Sequence, residues 1–231
     1  RPTTVKTRVV ANKQQIVRID AERVDPLPAA VTETICQQLM AALAADQYDA
    51  VIFEDYAKGM LTADLMQNLV NAASQRNIMT ALDPHPGHAF DVKGLTVMTP
   101  NRAEAFGLAG LYYQPGGMPV HEDKALQEVG QRLHQRWEVA YLLITLGADG
   151  MALFCGEDPV IHIPTRARDV FDVSGAGDTV TASLILALLS GATPAEAARI
   201  SNHAAGIVVG EMGTLPVHLA DLAASLKEGH E

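Results

Sequence analysis

The residues best suited to chemistry stand together at Asp172-Val173-Ser174-Gly175-Ala176-Gly177-Asp178-Thr179, directly ahead of the apolar stretch Val180–Leu189. Small residues at a helix start leave backbone N–H groups uncovered. With the positive end of the helix dipole, the amides of Gly175, Ala176 and Gly177 form an anion hole suited to phosphate. Asp178 follows in the first helical turn, beside that anion. A carboxylate there can take the proton of an attacking hydroxyl, as a general base does in phosphoryl transfer. A Gly-rich turn with a first-turn Asp is also common without function, so this pattern alone leaves both readings open.

Asn101 and Glu104, three apart at a helix start, share one face. They could hold a hydrated Mg²⁺, which keeps several waters and needs few carboxylates. They could equally be an N-cap Asn and its N3 Glu, and spacing alone favours this cap. Thr145 and Gly147 follow the apolar run Ala140–Ile144, where open α/β sheets bind ligands. Lys58, beside Asp55, can meet an anionic sugar phosphate as a point charge. Arg8 and Arg18 either clamp the same phosphate or are ordinary exposed strand residues. His203, on an apolar helix, reads as a core or pocket-wall histidine, and Met40, Met60 and Met66 as core filler.

These residues need a scaffold, and the hydrophobic pattern supplies one. Arg8–Ala11 and Ile16–Ile19 flank an Asn12-Lys13-Gln14 turn and predict a hairpin. Val31, Ile35, Leu39 and Leu43 recur at helical spacing after Pro28, and Thr62 is placed to cap a helix through Leu65, Leu69 and Ala73. Ala50–Phe53, Ile78–Leu82, Thr96–Met98 and Ala140–Ile144 read as strands buried on both faces. Helices are predicted over Ala103–Leu108, Glu122–Trp137, Ala176–Ser190, Pro194–Val209 and Val217–Lys227. Met151–Phe154 and Val160–Ile163 predict a second hairpin, and Gly110–Pro119 an irregular insertion. The alternation of strand and helix predicts one α/β domain: an open, mostly parallel sheet with helices on both faces.

Composition narrows the function classes. The 231 residues carry 17 Lys+Arg against 27 Asp+Glu, a formal net charge of −10 that disfavours a nucleic-acid surface. Hydrophobic residues make up 48%, enough for a core. No apolar run reaches the roughly 20 residues of a membrane-spanning helix. Cys36 and Cys155 stand far apart without metal-ligand spacing, which suits a reducing cytoplasm. The chain opens on Arg1 with no signal-peptide pattern, and is expected to be part of something longer.

The segment Asp-x-x-Gly-Ala-Gly-Asp before a long apolar helix resembles the C-terminal signature of the ribokinase-like (PfkB) carbohydrate kinases. Thr99-Pro100-Asn101-Arg102-Ala103-Glu104 is similar to that family's Asn-x-x-Glu motif, and Thr145-Leu146-Gly147-Ala148-Asp149-Gly150 to its Thr-x-Gly-x-x-Gly loop. Asn202-His203-Ala204-Ala205-Gly206 falls on the helix that flanks adenine in relatives. A narrower resemblance, to the heptose-7-phosphate kinases, comes from Arg1–Val9, Gln14–Asp20 and Asp55-Tyr56-Ala57-Lys58-Gly59.

The resemblance implies a ribokinase-like fold with a small hairpin lid, ATP and Mg²⁺ as cofactors, a cytoplasmic location and a homodimer. It places Asp178 as the base, with Asn101, Arg102, Ala103, Glu104, Thr145, Gly147, Asn202 and His203 around ATP, and Glu104 on the metal through water. Asp55, Lys58 and Arg8 fall on the sugar side. The implied reaction is phosphorylation of D-glycero-D-manno-heptose 7-phosphate at O1, on the way to ADP-heptose and the lipopolysaccharide core. The alternatives are another PfkB sugar or nucleoside kinase, or a nucleotide-binding module without activity. Glu54 and His85 depart from the heptose pattern. Nothing in Arg1–Asp20 matches the opening strand and Gly-Gly segment of the family. The resemblance therefore implies that the N-terminal portion of the fold is missing, that residues 1–20 are lid or sugar-side strands, and that the strand Val51–Phe53 lacks a neighbour.

Overall fold

A computed structural model describes residues 1–11, 14–88, 90–166, 171–211 and 213–228. Short apolar runs build its main sheet. β3 (Ala50–Glu54), β4 (Met79–Asp83), β5 (Val97–Met98) and β6 (Tyr141–Thr145) run parallel, and β7 (Met151–Cys155) and β8 (Ile161–Ile163) extend the sheet antiparallel, in the spatial order β3-β4-β5-β6-β7-β8. β4 and β6 lie one residue beyond their predicted spans, because parallel pairing carries Glu54 opposite Asp83 and an isolated bridge sets Asn101 beside Thr145. β3 pairs only with β4 among the described residues, the edge position expected for Val51–Phe53.

The two-residue alternation of a strand sorts the core into two layers. Leu142 and Ile144 of β6 join Leu82 and Met98 under α2 (Ala63–Ser74), α3 (Arg102–Leu108) and α4 (Lys124–Trp137). Leu143 points the other way and packs with Ala81 and Val97 against α5 (Ala176–Leu189) and α6 (Pro194–Val209). α7 (Leu219–Glu228) rests on α6. Thr62 caps α2 by accepting the Leu65 N–H, as its position predicts. α4 starts two residues later than its predicted span because Asp123 takes the cap, accepting the Leu126 N–H at 3.0 Å. No described helix is long and apolar enough to cross a membrane.

α1 (Ala29–Ala44) forms where the spacing puts it, with Pro28 at its N-cap, yet its apolar stripe is poorly covered. Leu43 is buried, but Val31, Leu39 and Met40 are exposed. The core assignment of Met40 is corrected, as is that of Met60 on the loop before α2; only Met66 is fully enclosed. The reason is position: α1 meets α2 at the outer side of the sheet, next to the β3 edge.

The hairpin of β1 (Val5–Ala11) and β2 (Gln14–Ala21) is a separate two-stranded antiparallel sheet. It is longer than Arg8–Ala11 and Ile16–Ile19, and Asn12 and Lys13 of its turn lie outside the described residues. Gly110–Pro119 carries no regular element, as expected.

Candidate active site

Four strand ends meet at one edge of the sheet. Glu54 and Asp83 are register partners closing β3 and β4. Asn101 follows β5 and bridges to Thr145 at the end of β6, whose N–H donates to the Pro100 carbonyl at 3.0 Å. Ligands of open α/β sheets bind beyond such carboxyl ends.

The start of α5 faces this edge. Gly175 is its N-cap at φ 82°, and a Cβ there would come within 2.8 Å of Thr214 Cγ2, so backbone and space both call for glycine. Asp172 steers the approach by accepting the N–H groups of Ser174 (2.9 Å) and Gly213 (3.3 Å). The bonds from Ser174 hold the Asp172 carboxyl below the usual range. Thr99 and Thr181 hydroxyls, 2.7 Å apart and buried, bind the end of β5 to the second turn of α5. A Cβ on Gly177 would stand 3.5 Å from Asp83 Oδ2, so this turn lies directly against the end of β4.

Carboxyl groups therefore crowd together. One oxygen each from Glu54, Asp83 and Asp178 lies within 4.8 Å of the others. Burial first, then the charges of Glu54, Glu104 and Asp178, push Asp83 up to about 8, and it shares a hydrogen bond with Glu54. Burial and the charge of Asp178 raise Glu54 as well. Burial also raises Glu104, against its hydrogen bonds from Asn101 and the charge of His85. Neighbouring carboxyls in a partly dry setting cannot all ionise cheaply, so Asp83 and Glu54 titrate as a pair. Tyr56, two residues past β3, donates its hydroxyl to Asp178 Oδ1 (3.0 Å) and Oδ2 (3.1 Å).

The residues expected around ATP fare differently. Asn101 and Glu104 make a full capping box: Asn101 Oδ1 accepts the Glu104 N–H at 3.0 Å, and Glu104 Oε2 accepts the Asn101 N–H at 2.8 Å. The charge of Glu104 still acts on Asp83, so the cap sits at the same sheet edge. Ala103 is exposed on α3. Gly147, at φ 61°, opens a single 3₁₀ turn over Gly147–Asp149 after Thr145, and the Leu146 N–H closes this loop on the Gly150 carbonyl at 2.8 Å.

The side chain of Arg102, expected beside ATP, is engaged within the protein. Its guanidinium pairs with Asp123 at 2.6 Å, donates to the Gln114 carbonyl at 2.8 Å and stacks over Phe106. It pins the 110–119 loop, because one helical step past Asn101 turns the side chain inward. Asn202 and His203 are also buried: Asn202 donates to the Pro164 carbonyl at 2.6 Å, and His203 Nδ1 bonds Ser225 of α7 at 2.8 Å. Their side chains knit α6 to its neighbours, as the core or pocket-wall reading of His203 expects.

On the expected sugar side, the Asp55 carboxyl shapes the loop. It accepts the Ala57 N–H at 2.8 Å, bonds His88 Nδ1 at 3.1 Å and is almost fully covered. Lys58 pairs with Glu22, just past β2, at 2.5 Å and thereby joins the hairpin to this loop. Arg8 lies exposed on β1, and its charge helps lower Asp172 at the approach to α5. Of the residues gathered here, sequence reasoning singled out Glu54 only as a departure from the heptose pattern, saw Asp83 only as a strand end and gave Tyr56 no role. A carboxylate closing an apolar parallel-strand run was the available signal for the first two.

The described architecture is that of the ribokinase-like α/β fold. Phosphofructokinase-2 from Escherichia coli in complex with substrates and products superposes with a TM-score of 0.76 at 16% identity, over 99% of this chain and 71% of that one. Arabidopsis thaliana ribokinase complexed with ribose and ATP gives 0.64 at 21% identity, over 93% of this chain and 64% of that one. Residues 1–219 match the model of the pfkB family carbohydrate kinases, and the chain belongs to that family. It is 40% identical over 230 residues to the bifunctional protein HldE of Trichlorobacter lovleyi and to that of Geobacter sulfurreducens. Each alignment takes in 100% of this chain and 45% of the relative, so the chain spans about half the length of these relatives.

Proposed function

We propose that this chain carries ATP-dependent phosphorylation of a sugar phosphate, D-glycero-D-manno-heptose 7-phosphate at its anomeric O1, in the cytoplasm and as a homodimer. The observation that carries the phosphotransfer reading is Asp178, held in the first turn of a helix whose glycine start opens on the sheet's carboxyl edge. The heptose assignment rests on the resemblance of Arg1–Asp20 and Asp55–Gly59 and on the 40% identity to HldE proteins.

In this reading the amides of Gly175, Ala176 and Gly177 receive the moving phosphoryl group, and their fixed dipoles oppose its growing charge. Asp178 takes the proton of the sugar hydroxyl. The peptide edges at Asn101, Ala103, Thr145 and Gly147 border the nucleotide, while Asp55, Lys58 and Arg8 form the sugar wall. The oxygen donors gathered at this edge, Glu54, Asp83 and Asp178, with Glu104 near enough for its charge to act on Asp83, suit a hard divalent cation held partly through water. Mg²⁺ bound there would supply positive charge beside the phosphates. Glu104 is the residue to orient its water shell while keeping the cap with Asn101.

The test is ADP release by the full-length protein with heptose 7-phosphate, fructose 6-phosphate, ribose and adenosine offered in turn. Turnover selective for the heptose supports the reading. Selective turnover of another acceptor transfers the assignment to a different sugar or nucleoside kinase.

A further inference from the structure

A kinase whose base can reach a hydroxyl can also reach water, and the acceptor that wins decides whether ATP is used or wasted. Tyr56 bears on that choice. Its hydroxyl lies 3.0 and 3.1 Å from the two oxygens of Asp178, within the range in which an acceptor hydroxyl must approach a general base. The phenol therefore stands where a reacting hydroxyl or an attacking water would stand.

The loop is built to hold it there and to let it go. Asp55, covered by the protein, accepts the Ala57 N–H and bonds His88, so the backbone beneath Tyr56 is pinned. The Asp55 N–H adds a bond to the Asp83 carbonyl at 3.0 Å. Ala57 adopts φ 53°, and Gly59, at φ 70°, packs so closely on Asp25 that a Cβ would collide with its carbonyl. Tyr56 as a whole is 53% exposed, which leaves its side chain a route toward solvent that does not move this backbone. Burial of the hydroxyl and the charge of Asp178 raise the phenol above its ordinary value, so it keeps its proton and is a poor nucleophile.

We propose that Tyr56 determines acceptor specificity: its hydroxyl occupies the base until a sugar hydroxyl displaces it, which keeps water from being phosphorylated in the sugar's absence. This rests on the phosphotransfer reading of Asp178 but not on the identity of the sugar. In the suppressed side reaction a water oxygen bonds to the γ-phosphorus. The bond from that phosphorus to the bridging oxygen breaks, ADP leaves with the electron pair, and the water proton passes to Asp178.

The experiment is Tyr56→Phe in the full-length protein, with ADP release measured without any sugar. Losing one hydrogen bond to a charged group should raise sugar-free hydrolysis roughly 10–100-fold. Tyr56→Phe combined with Asp178→Asn should abolish that gain, because the released water then meets no base. An unchanged or lower rate in Tyr56→Phe overturns the proposal, as does a gain that survives in the double variant. Transfer to heptose 7-phosphate is assayed in parallel. If that fails while the gain in Tyr56→Phe is present, the sugar assignment falls and the role of Tyr56 stands.

Discussion

Asp178 and Glu104 are both carboxylates at helix starts, yet their surroundings assign them different work. Asp178 receives one hydrogen bond from a movable tyrosine, so a substrate can take its place. Replacing it by Asn should lower kcat by roughly 10²–10⁴ while ATP affinity stays within a few fold, the usual worth of a base. An Asn variant with near-normal kcat removes Asp178 from the mechanism. Glu104 already spends Oε2 on the Asn101 N–H. Glu104→Gln can keep that bond through its amide oxygen and loses only the charge. The Mg²⁺ concentration for half-maximal rate should therefore rise with little loss of stability, and a rate titration against Mg²⁺ that overlays the wild type assigns Glu104 to the cap alone. Local pattern made both residues legible, since helix-start chemistry is written within four positions. The grouping of Tyr56, Glu54 and Asp83 around Asp178 was hidden because only the β3–β4 register and the seating of α5 bring them together. Arg102 was read together with Asn101 and Glu104, but helical rotation turns its side chain toward Asp123, a long-range pairing that no local pattern announces.

At the scale of elements, the apolar runs of β4 and β6 were readable to within a residue, because a parallel strand covered on both faces leaves few polar positions. Their polar last residues could not be assigned from the pattern, since Asp83 belongs equally to a strand end and to a site. Its environment has a cost that pH should reveal. Asp83 ordinarily titrates at 3.8 and is raised to about 8 in the fold, chiefly by burial. A raised carboxyl binds its proton more tightly when folded, so its stabilising share is full below 3.8 and is lost as pH climbs through about 8. Asp83→Asn fixes the neutral form. Its melting temperature relative to wild type should grow more favourable from pH 5 to pH 9, and a constant offset in thermal melts across that window would refute the shift. On the facing element, Gly175→Ala should destabilise by about 1–3 kcal/mol, because a Cβ at φ 82° is strained and presses on Thr214. Urea unfolding measures this, and a loss below about 0.5 kcal/mol would mean that the turn relaxes without strain.

For the whole molecule, the open question is what covers the apolar surfaces outside the two core layers. The uncovered face of α1 with the β3 edge is one such surface among the described residues, and the β1–β2 hairpin is another. Pattern foresaw the hairpin but not its exposure, because a period-two alternation says that one face is apolar without naming its cover. In the observed register Thr7 stands opposite Ile19 and Val9 opposite Val17, with Val5 on the same face, while Lys6, Arg8, Arg18 and Asp20 fall on the other. Val5, Val9, Val17 and Ile19 are each at least 42% exposed. A lone two-stranded hairpin is marginal in water, and an apolar face of this kind calls for a partner. The proposed homodimer should accordingly form through the hairpins, each burying its valine face on the other. Val9→Lys places a charge at the centre of that face and leaves the six-stranded sheet untouched, so sedimentation should show the wild type as a dimer at tens of micromolar and the variant as a monomer. A Val9→Lys protein that remains dimeric would move the interface to the β3 edge, where Ile52 is the exposed apolar residue of the strand.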